Sequence, residues 1–582
     1  MKTIRSYFKN SKTRGARKSL MAFGLIGVLS LGSLAYGVVG ASPSPTPCNN
    51  LIVPQHMVQG HLVGETSCEV TDQSTVQNNK GQNFNEVNIG IGGTAFGYLD
   101  PNTQGNTRKD LTDVPNVLFP QFGITSWSPA IGTYTGTATA SDAGAGITVL
   151  YPQNKADWNG KMFFAVHGQS NDTPIGAIVP QAVGAAVTND TFNNLYADEM
   201  INQGYAVVYS RRPAVSGVPS TIVGTNTTLD ESLNDNVDTL LSFLQSGQKL
   251  VQQQMGKSPS ETYWYGHSAG VIVGRLLNYS GLNKAPNGKP YINGFLDDDA
   301  GGGLPLPVSM PEGQVLGEQG NEATFPQSDL LFQTPQQKTS FTKEINFAHD
   351  MYESYHTWLS EVSYLQLKRE NTKLDDQLGV PARTYEVAGV SHIPNSDGSP
   401  TNTLDMDGLI SSAITNLDAW VTHNTQPPAS IVNTASVSTS APIVTSSNPA
   451  PDAKTNNVDK QTSVQLPPLA CPTGIRFSQP APNGSPTSTG YAAYDGSSLE
   501  PVNAGGQLVD VNNNGVRDTM PTMTQAWRSL GLLGQNQQLT KGVYVSCVQQ
   551  SVNKLTSEHL LSQSVADWYV QTASSTYPNL PW

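Results

Sequence analysis

From Gly146 to His423 the chain alternates short apolar runs, rich in β-branched and aromatic residues, with segments of helical length, and no other feature narrows its fold so far. The runs "GITVLYP", "MFFAVHG", "YAVVYSRR", "ETYWYGH", "YINGFLDD", "TKEINFAHD" and "ARTYEVAGVSH" predict strands. Between and after them, "ADEMINQG" ends one helix, "NVDTLLSFLQSGQKLVQQQMG" has the apolar spacing of a second, and "TLDMDGLISSAITNLDAWVTH" closes the region as a third. Strands separated by helices call for crossovers rather than hairpins. The expected class is therefore α/β, a mostly parallel sheet flanked by helices.

The flanks differ in texture, and they divide the chain. Residues 1–41 hold seven of the 32 Lys and Arg and no Asp or Glu: Lys2, Arg5, Lys9, Lys12, Arg14, Arg17 and Lys18 precede an apolar run from Leu20 to Val39 that ends in small residues. This pattern predicts a signal peptide cleaved near Ala41. The alternative is an uncleaved anchor, since about 20 apolar residues can span a bilayer; Gly24, Gly27, Gly32 and Gly37 interrupt the run. Residues 42–115, with β-like runs such as "EVNIGIGGTAFGYL", read as an N-terminal accessory segment, and 116–427 as the catalytic core. A Gly- and Pro-rich insert at 300–340 is a lid-like element of that core. Residues 428–466 form a Ser-, Thr- and Pro-rich linker, and 467–582 a C-terminal segment that packs on the core.

Beyond the leader, 25 basic residues face 45 acidic ones. A chain of that sign repels phosphate backbones, so nucleic acid is excluded as a partner, and no stable membrane insertion is expected once the leader is cleaved. The four cysteines suit an exported protein with two bridges. Three pairings are possible, and sequence neighbours favour Cys48 with Cys68 and Cys471 with Cys547. Their spacing matches no metal or redox motif.

The chemistry is carried by Gly266-His267-Ser268-Ala269-Gly270, which matches G-x-S-x-G at the junction of the "ETYWYGH" strand and an apolar helical segment. In such an elbow Gly266 and Gly270 leave room for close backbone approach, and the Ser268 hydroxyl is presented as a nucleophile. The Ala269 amide is then the first oxyanion donor, with a contribution of about 3 kcal/mol. The second is expected after "MFFAVHG", from Gln169, or failing that from Gly168. The base must be a histidine that follows the nucleophile in the chain. His392, after the last apolar strand, meets this requirement; His349 and His356 lie near a different strand end, and His423 ends a helix.

The acid should lie at a strand end between nucleophile and base. Asp350 closes "TKEINFAHD" and is the first candidate. Glu353 lies one helical turn further on, and Asp297, Asp298 and Asp299 close an earlier strand, with Asp299 the alternative among them. The Asp triplet could instead cap a helix or bind a cation. Asp510 to Asp518 spaces its oxygen-bearing residues like a calcium loop, but Pro521 stands where the bidentate Glu belongs, and an Asn-Gly hairpin turn is the simpler account. No metal and no cofactor is expected.

With those residues in hand, the chain resembles a bacterial α/β-hydrolase-domain family of esterase-like proteins, over roughly residues 145–430 and again near 500–535. The likeness rests on "GHSAG", "EVAGVSHIP", "AITNLDAWVTHNTQPP" and "DVNNNGVRDTMPTM". "ADWNGKMFFAVHG" is similar, more distantly, to the Trp-Asn-Gly strand of tannase, feruloyl esterase and hydroxybutyrate-oligomer hydrolases. The resemblance implies the α/β-hydrolase fold and a Ser-acid-His esterase, carried here onto Ser268, an acid and His392. Tannase-type enzymes place Cys beside the nucleophile and the base, whereas this chain has His267 and Ser391. The expectation is a secreted serine hydrolase acting on a small-molecule or oligomeric carboxylic ester. The alternatives are an amidase or lactonase with the same triad, or a non-catalytic cell-surface binding protein on the same scaffold.

Overall fold

In a computed structural model, the described residues are 46–54, 56–58, 61–63, 65, 67–94, 128–129, 137–138, 146–167, 196–211, 233–267, 270–271, 274, 277–278, 283–285, 287–299, 308–309, 341–349, 372, 375–376, 379–388, 390, 406–432, 463–476, 491–494 and 521–576. The segment expected to be a signal peptide, residues 1–41, falls outside them, as does most of the 300–340 insert; within that insert Val308–Ser309 pairs with Ser128–Pro129.

The main strands are β1 (Ser67–Gln77), β2 (Asn83–Thr94), β3 (Gly146–Pro152), β4 (Met162–His167), β5 (Ala206–Arg211), β6 (Thr262–His267), β7 (Gly294–Asp298), β8 (Lys343–His349) and β9 (Ala382–Val387). Together they make one sheet in the order β1-β2-β3-β5-β4-β6-β7-β8-β9. Strand β3 is antiparallel to both β2 and β5, and from β5 to β9 every pairing is parallel. The chain steps from β4 outward to β5, then returns past β4 to β6. That reversal is a topological switch point, and it lies between the carboxyl ends of β4 and β6.

Side-chain alternation explains how a sheet buried on both faces is built from uninterrupted apolar runs. Phe164, Val208 and Trp264 join one hydrophobic cluster, while Phe163, Val207, Tyr263 and Tyr265 join another. The first face is covered by helix α1 (Leu233–Met255), through Leu240, Leu244 and Val251. The second is covered by helix α2 (Asp407–His423), through Ile410, Ile414 and Leu417, together with the short Ala197–Asn202 helix. Each large aromatic so buried contributes about 1.5–3 kcal/mol.

Residues 42–115 contribute more than short β-like runs: β1 and β2 are 11 and 12 residues long and extend the same sheet. A strap ahead of them docks on α1, where the buried carboxylate of Glu65 accepts hydrogen bonds from the Ser242 and Ser246 hydroxyls and the Val53 amide. Both neighbour-paired disulfides form, Cys48–Cys68 and Cys471–Cys547.

The far edge of the sheet is closed by the ends of the Ser-, Thr- and Pro-rich segment. Ile431 donates to the Thr384 carbonyl and accepts from the Glu386 amide; Val464 donates to the Glu386 carbonyl and accepts from the Ala388 amide. The two residues thus occupy alternate positions of one lane beside β9, with residues 432–463 between them. This pairing covers an edge that would otherwise expose a row of backbone groups. Beyond it, helices α3 (Lys541–Ser557) and α4 (Gln563–Thr576) pack on the core: Leu555, Leu561 and Val565 join the cluster under α2, and the Asn416 side chain donates to the His559 carbonyl.

Candidate active site

Strands β4 and β6 are parallel neighbours in register, with His167 opposite His267. The segments that follow the two strands therefore start side by side, at the switch point where a doubly wound sheet opens a crevice. Strand β6 runs to His267, and Gly270, Val271, Gly274, Leu277 and Asn278 are helical, so the chain passes from strand to helix across Ser268 and Ala269. A Cβ on Gly266 would lie 2.7 Å from the Val271 nitrogen and 2.8 Å from the Gly270 carbonyl carbon. The helix thus returns against the strand too closely for any side chain there, which is the physical demand of a tight strand-to-helix turn.

Ser268, Ala269, Gln169, Asp350, Glu353 and His392 lie outside the described residues, as does the Asp510–Asp518 loop. In the chain, three of them follow strands whose ends are described. Ser268 follows β6 directly, Asp350 follows β8 directly, and His392 comes five residues after β9 ends at Val387. All three strands are parallel, so their carboxyl ends share one edge of the sheet.

At that edge the described residues form a buried polar cluster. Asp298 and His349 are the last residues of β7 and β8, and His349 Nε2 lies 2.8 Å from Asp298 Oδ1 with both side chains essentially inaccessible. Tyr265, on β6, donates its hydroxyl to Asp298 Oδ2 at 2.8 Å. Asp299 grips the same histidine a second way: its Oδ1 accepts the His349 main-chain N–H at 2.8 Å, and its Oδ2 stands 3.6 Å from His349 Nδ1. Asp299 is in the left-handed region at φ 53°, and its own N–H donates to the Phe347 carbonyl.

Burial alone would raise the Asp298 carboxyl. The opposing pull of His349, His267 and the Tyr265 hydroxyl holds it below the usual carboxylate range. Burial, and then the Asp298 charge, push the Tyr265 phenol well above its ordinary value, so it stays protonated and can donate. An ionised Asp298 can only accept, which puts a hydrogen on His349 Nε2. Both ring nitrogens of His349 therefore face carboxylates, and both Asp299 oxygens face His349.

The sequence pointed to these residues only as alternatives, His349 as a second base and Asp299 as a second acid; the structure joins them to each other. The local signal was present in "LDDD" and "FAHD", two acid-bearing strand ends, but their adjacency depends on strand order. Among the described residues no group of three or more His, Cys, Asp or Glu has the geometry to hold a metal ion.

No family model matches the chain, and no curated protein matches it. The narrower expectation of a bacterial α/β-hydrolase-domain family thus finds no counterpart in those comparisons. Solved structures with partial likeness include a truncated carbohydrate esterase from gut microbiota, at 10% identity and TM-score 0.28 over 51% of this chain and 97% of that one. Fungal esterases from Rhizomucor miehei match at 10% identity and TM-score 0.29, over 50% and 84%. Esterase B from Lactobacillus Rhamnosis matches at 13% and TM-score 0.26, over 45% and 74%. At scores this low the fold rests on the sheet's own order. Six parallel strands with a switch point, one antiparallel neighbour and helices on both faces fit an α/β-hydrolase-like arrangement.

Proposed function

We propose that the protein is an exported serine hydrolase that cleaves carboxylic esters. Ser268 attacks the ester carbonyl, His392 takes the hydroxyl proton and returns it to the leaving alkoxide, and Asp350 orients the imidazole. The amides of Ala269 and Gln169 receive the oxyanion, and water then cleaves the acyl-enzyme by the reverse proton path. The observation that carries this reading is the side-by-side ending of β4 and β6, with a glycine at 266 that the following helix crowds too closely for a side chain.

The cluster beneath supports the choice of partners. His349 Nε2 is engaged by Asp298, and Asp299 Oδ1 holds the His349 main-chain N–H, so each already serves a structural partner. His392 and Asp350 are the first candidates because each follows the end of a parallel strand in the chain. Export is supported by the two disulfides, which persist in oxidising compartments, and by the basic-then-apolar leader. No helix among the described residues is long and apolar enough to cross a membrane.

The test is an ester panel, varied in acyl and alcohol parts, run on the wild type and on Ser268→Ala. Turnover is expected to fall by several orders of magnitude in the variant, with loss of fluorophosphonate labelling. An active Ser268→Ala, or a wild type that neither turns over esters nor labels, would remove this reading.

A further inference from the structure

We propose that Asp298, Asp299 and His349 form a positioning clamp for the acid of the triad, an inference that rests on the Ser268, His392 and Asp350 reading above. Asp350 is covalently next to His349, so whatever fixes His349 fixes where the chain leaves β8. The structure fixes it by two hydrogen bonds, the imidazole Nε2 on Asp298 and the main-chain N–H on Asp299 Oδ1, with Asp299 Oδ2 a further 3.6 Å from Nδ1. A hydrogen bond to one ring nitrogen would anchor only the side chain. Seizing the backbone N–H as well fixes the Ala348–His349 peptide, so main chain and side chain of the residue before Asp350 are held together.

The clamp also reaches the nucleophile strand. Tyr265 holds the second Asp298 oxygen and lies three residues before Ser268, and His267, immediately before Ser268, acts electrostatically on the same carboxylate. The ends of β6, β7 and β8 are thereby tied through one buried carboxylate. The left-handed backbone of Asp299 is the local cost of turning its side chain back onto β8. None of these groups need touch substrate; they act through the residues that follow them.

Steady-state ester kinetics on Asp298→Asn and His349→Gln test the clamp, with folding followed separately by thermal unfolding. The expected result is a kcat reduced about a hundredfold, the scale of an ångström-sized misplacement, with KM within about twofold. Fluorophosphonate labelling of Ser268 should slow in parallel. His349→Gln, which retains a donor near Nε2, should keep more kcat than His349→Ala. In a double-mutant cycle, adding Asp298→Asn to Asp350→Asn should lower kcat no further, because positioning a missing carboxylate is worth nothing.

Wild-type kcat in folded Asp298→Asn and His349→Gln, with Ser268→Ala inactive, overturns the clamp and leaves the esterase reading intact. Fully additive losses in the cycle also overturn it. Should Asp298→Asn fail to fold, Tyr265→Phe removes one hydrogen bond from the same carboxylate. A reduced kcat at unchanged KM then supports the clamp, and an unchanged kcat overturns it.

Discussion

Tyr263 and Tyr265 lie two residues apart on the same face of β6, and each donates to an aspartate, yet the two ends of the strand are built on different terms. At the amino end Tyr263 meets Asp418 of α2, which is ion-paired with Lys161 at 2.6 Å, with side chains 19% and 22% accessible. At the carboxyl end Tyr265 meets Asp298, whose other partner is a histidine and whose surroundings are inaccessible. Water screens the first pair and reaches neither member of the second. The amino end is therefore a pin between sheet and helix that tolerates loss. The carboxyl end is a buried cluster in which each polar group relies on the others for its hydrogen bonds.

Three measurements can break or sharpen this contrast. The largest effect is expected from Asp298→Ala, which strands a buried histidine and tyrosine. It should cost about 3–5 kcal/mol of unfolding free energy in denaturant titrations, and a loss under 1 kcal/mol would mean that the cluster is not energetically buried.

Next in size is Glu86→Gln. Glu86 is a buried carboxylate on β2 with no basic partner among the groups acting on it: burial, and then Asp72, raise it to about 7 against the pull of the Ser74 hydroxyl. Its folded value lies above its unfolded one, so its stabilising contribution is complete below about 4.5 and is lost as pH rises through about 7. Asp298 has the opposite sign. Held below the usual range, it contributes above the ordinary carboxylate pKa and loses that contribution as pH falls through its folded value. Unfolding free energy against pH should accordingly flatten between about pH 4.5 and 7 in Glu86→Gln, by at most about 3 kcal/mol. In Asp298→Asn it should flatten only in acid. Identical profiles for the two variants would erase the distinction that a histidine partner makes.

The smallest effect belongs to Asp418→Asn, which keeps an acceptor for Tyr263 and gives up only a partly exposed ion pair. About 0.2–1 kcal/mol is expected, fading as salt is added. A cost equal to that of Asp298→Ala would make the two strand ends equivalent.

The elements were legible where the signal was local. Apolar alternation marked β3 to β9 and both long core helices within a few residues, and Gly266 and Gly270 stood out because a tight strand-to-helix turn demands small residues. The paired cysteines followed from separations of 20 and 76 within loop-rich flanks. The length of β1 was less legible, because "SCEVTDQSTVQ", covered outside only by the two-residue Thr46–Pro47 strand, carries polar residues that dilute its pattern. So was the pinning of the Ser-, Thr- and Pro-rich segment at Ile431 and Val464, two ordinary β-branched residues in a low-complexity stretch.

What the sequence settled unaided is the succession of strands and helices, together with the order in which serine, carboxylate and histidine candidates follow the strand ends, since both are written in local periodicity and chain order. Which aspartate meets which histidine was decided only in three dimensions. Asp298 and His349 are 51 residues apart, and they meet because β7 and β8 are hydrogen-bonded neighbours, with Asp298 in register with Phe347, two residues before His349. Strand adjacency comes from burying two apolar faces at once, a condition on the whole sheet that no single stretch of chain contains.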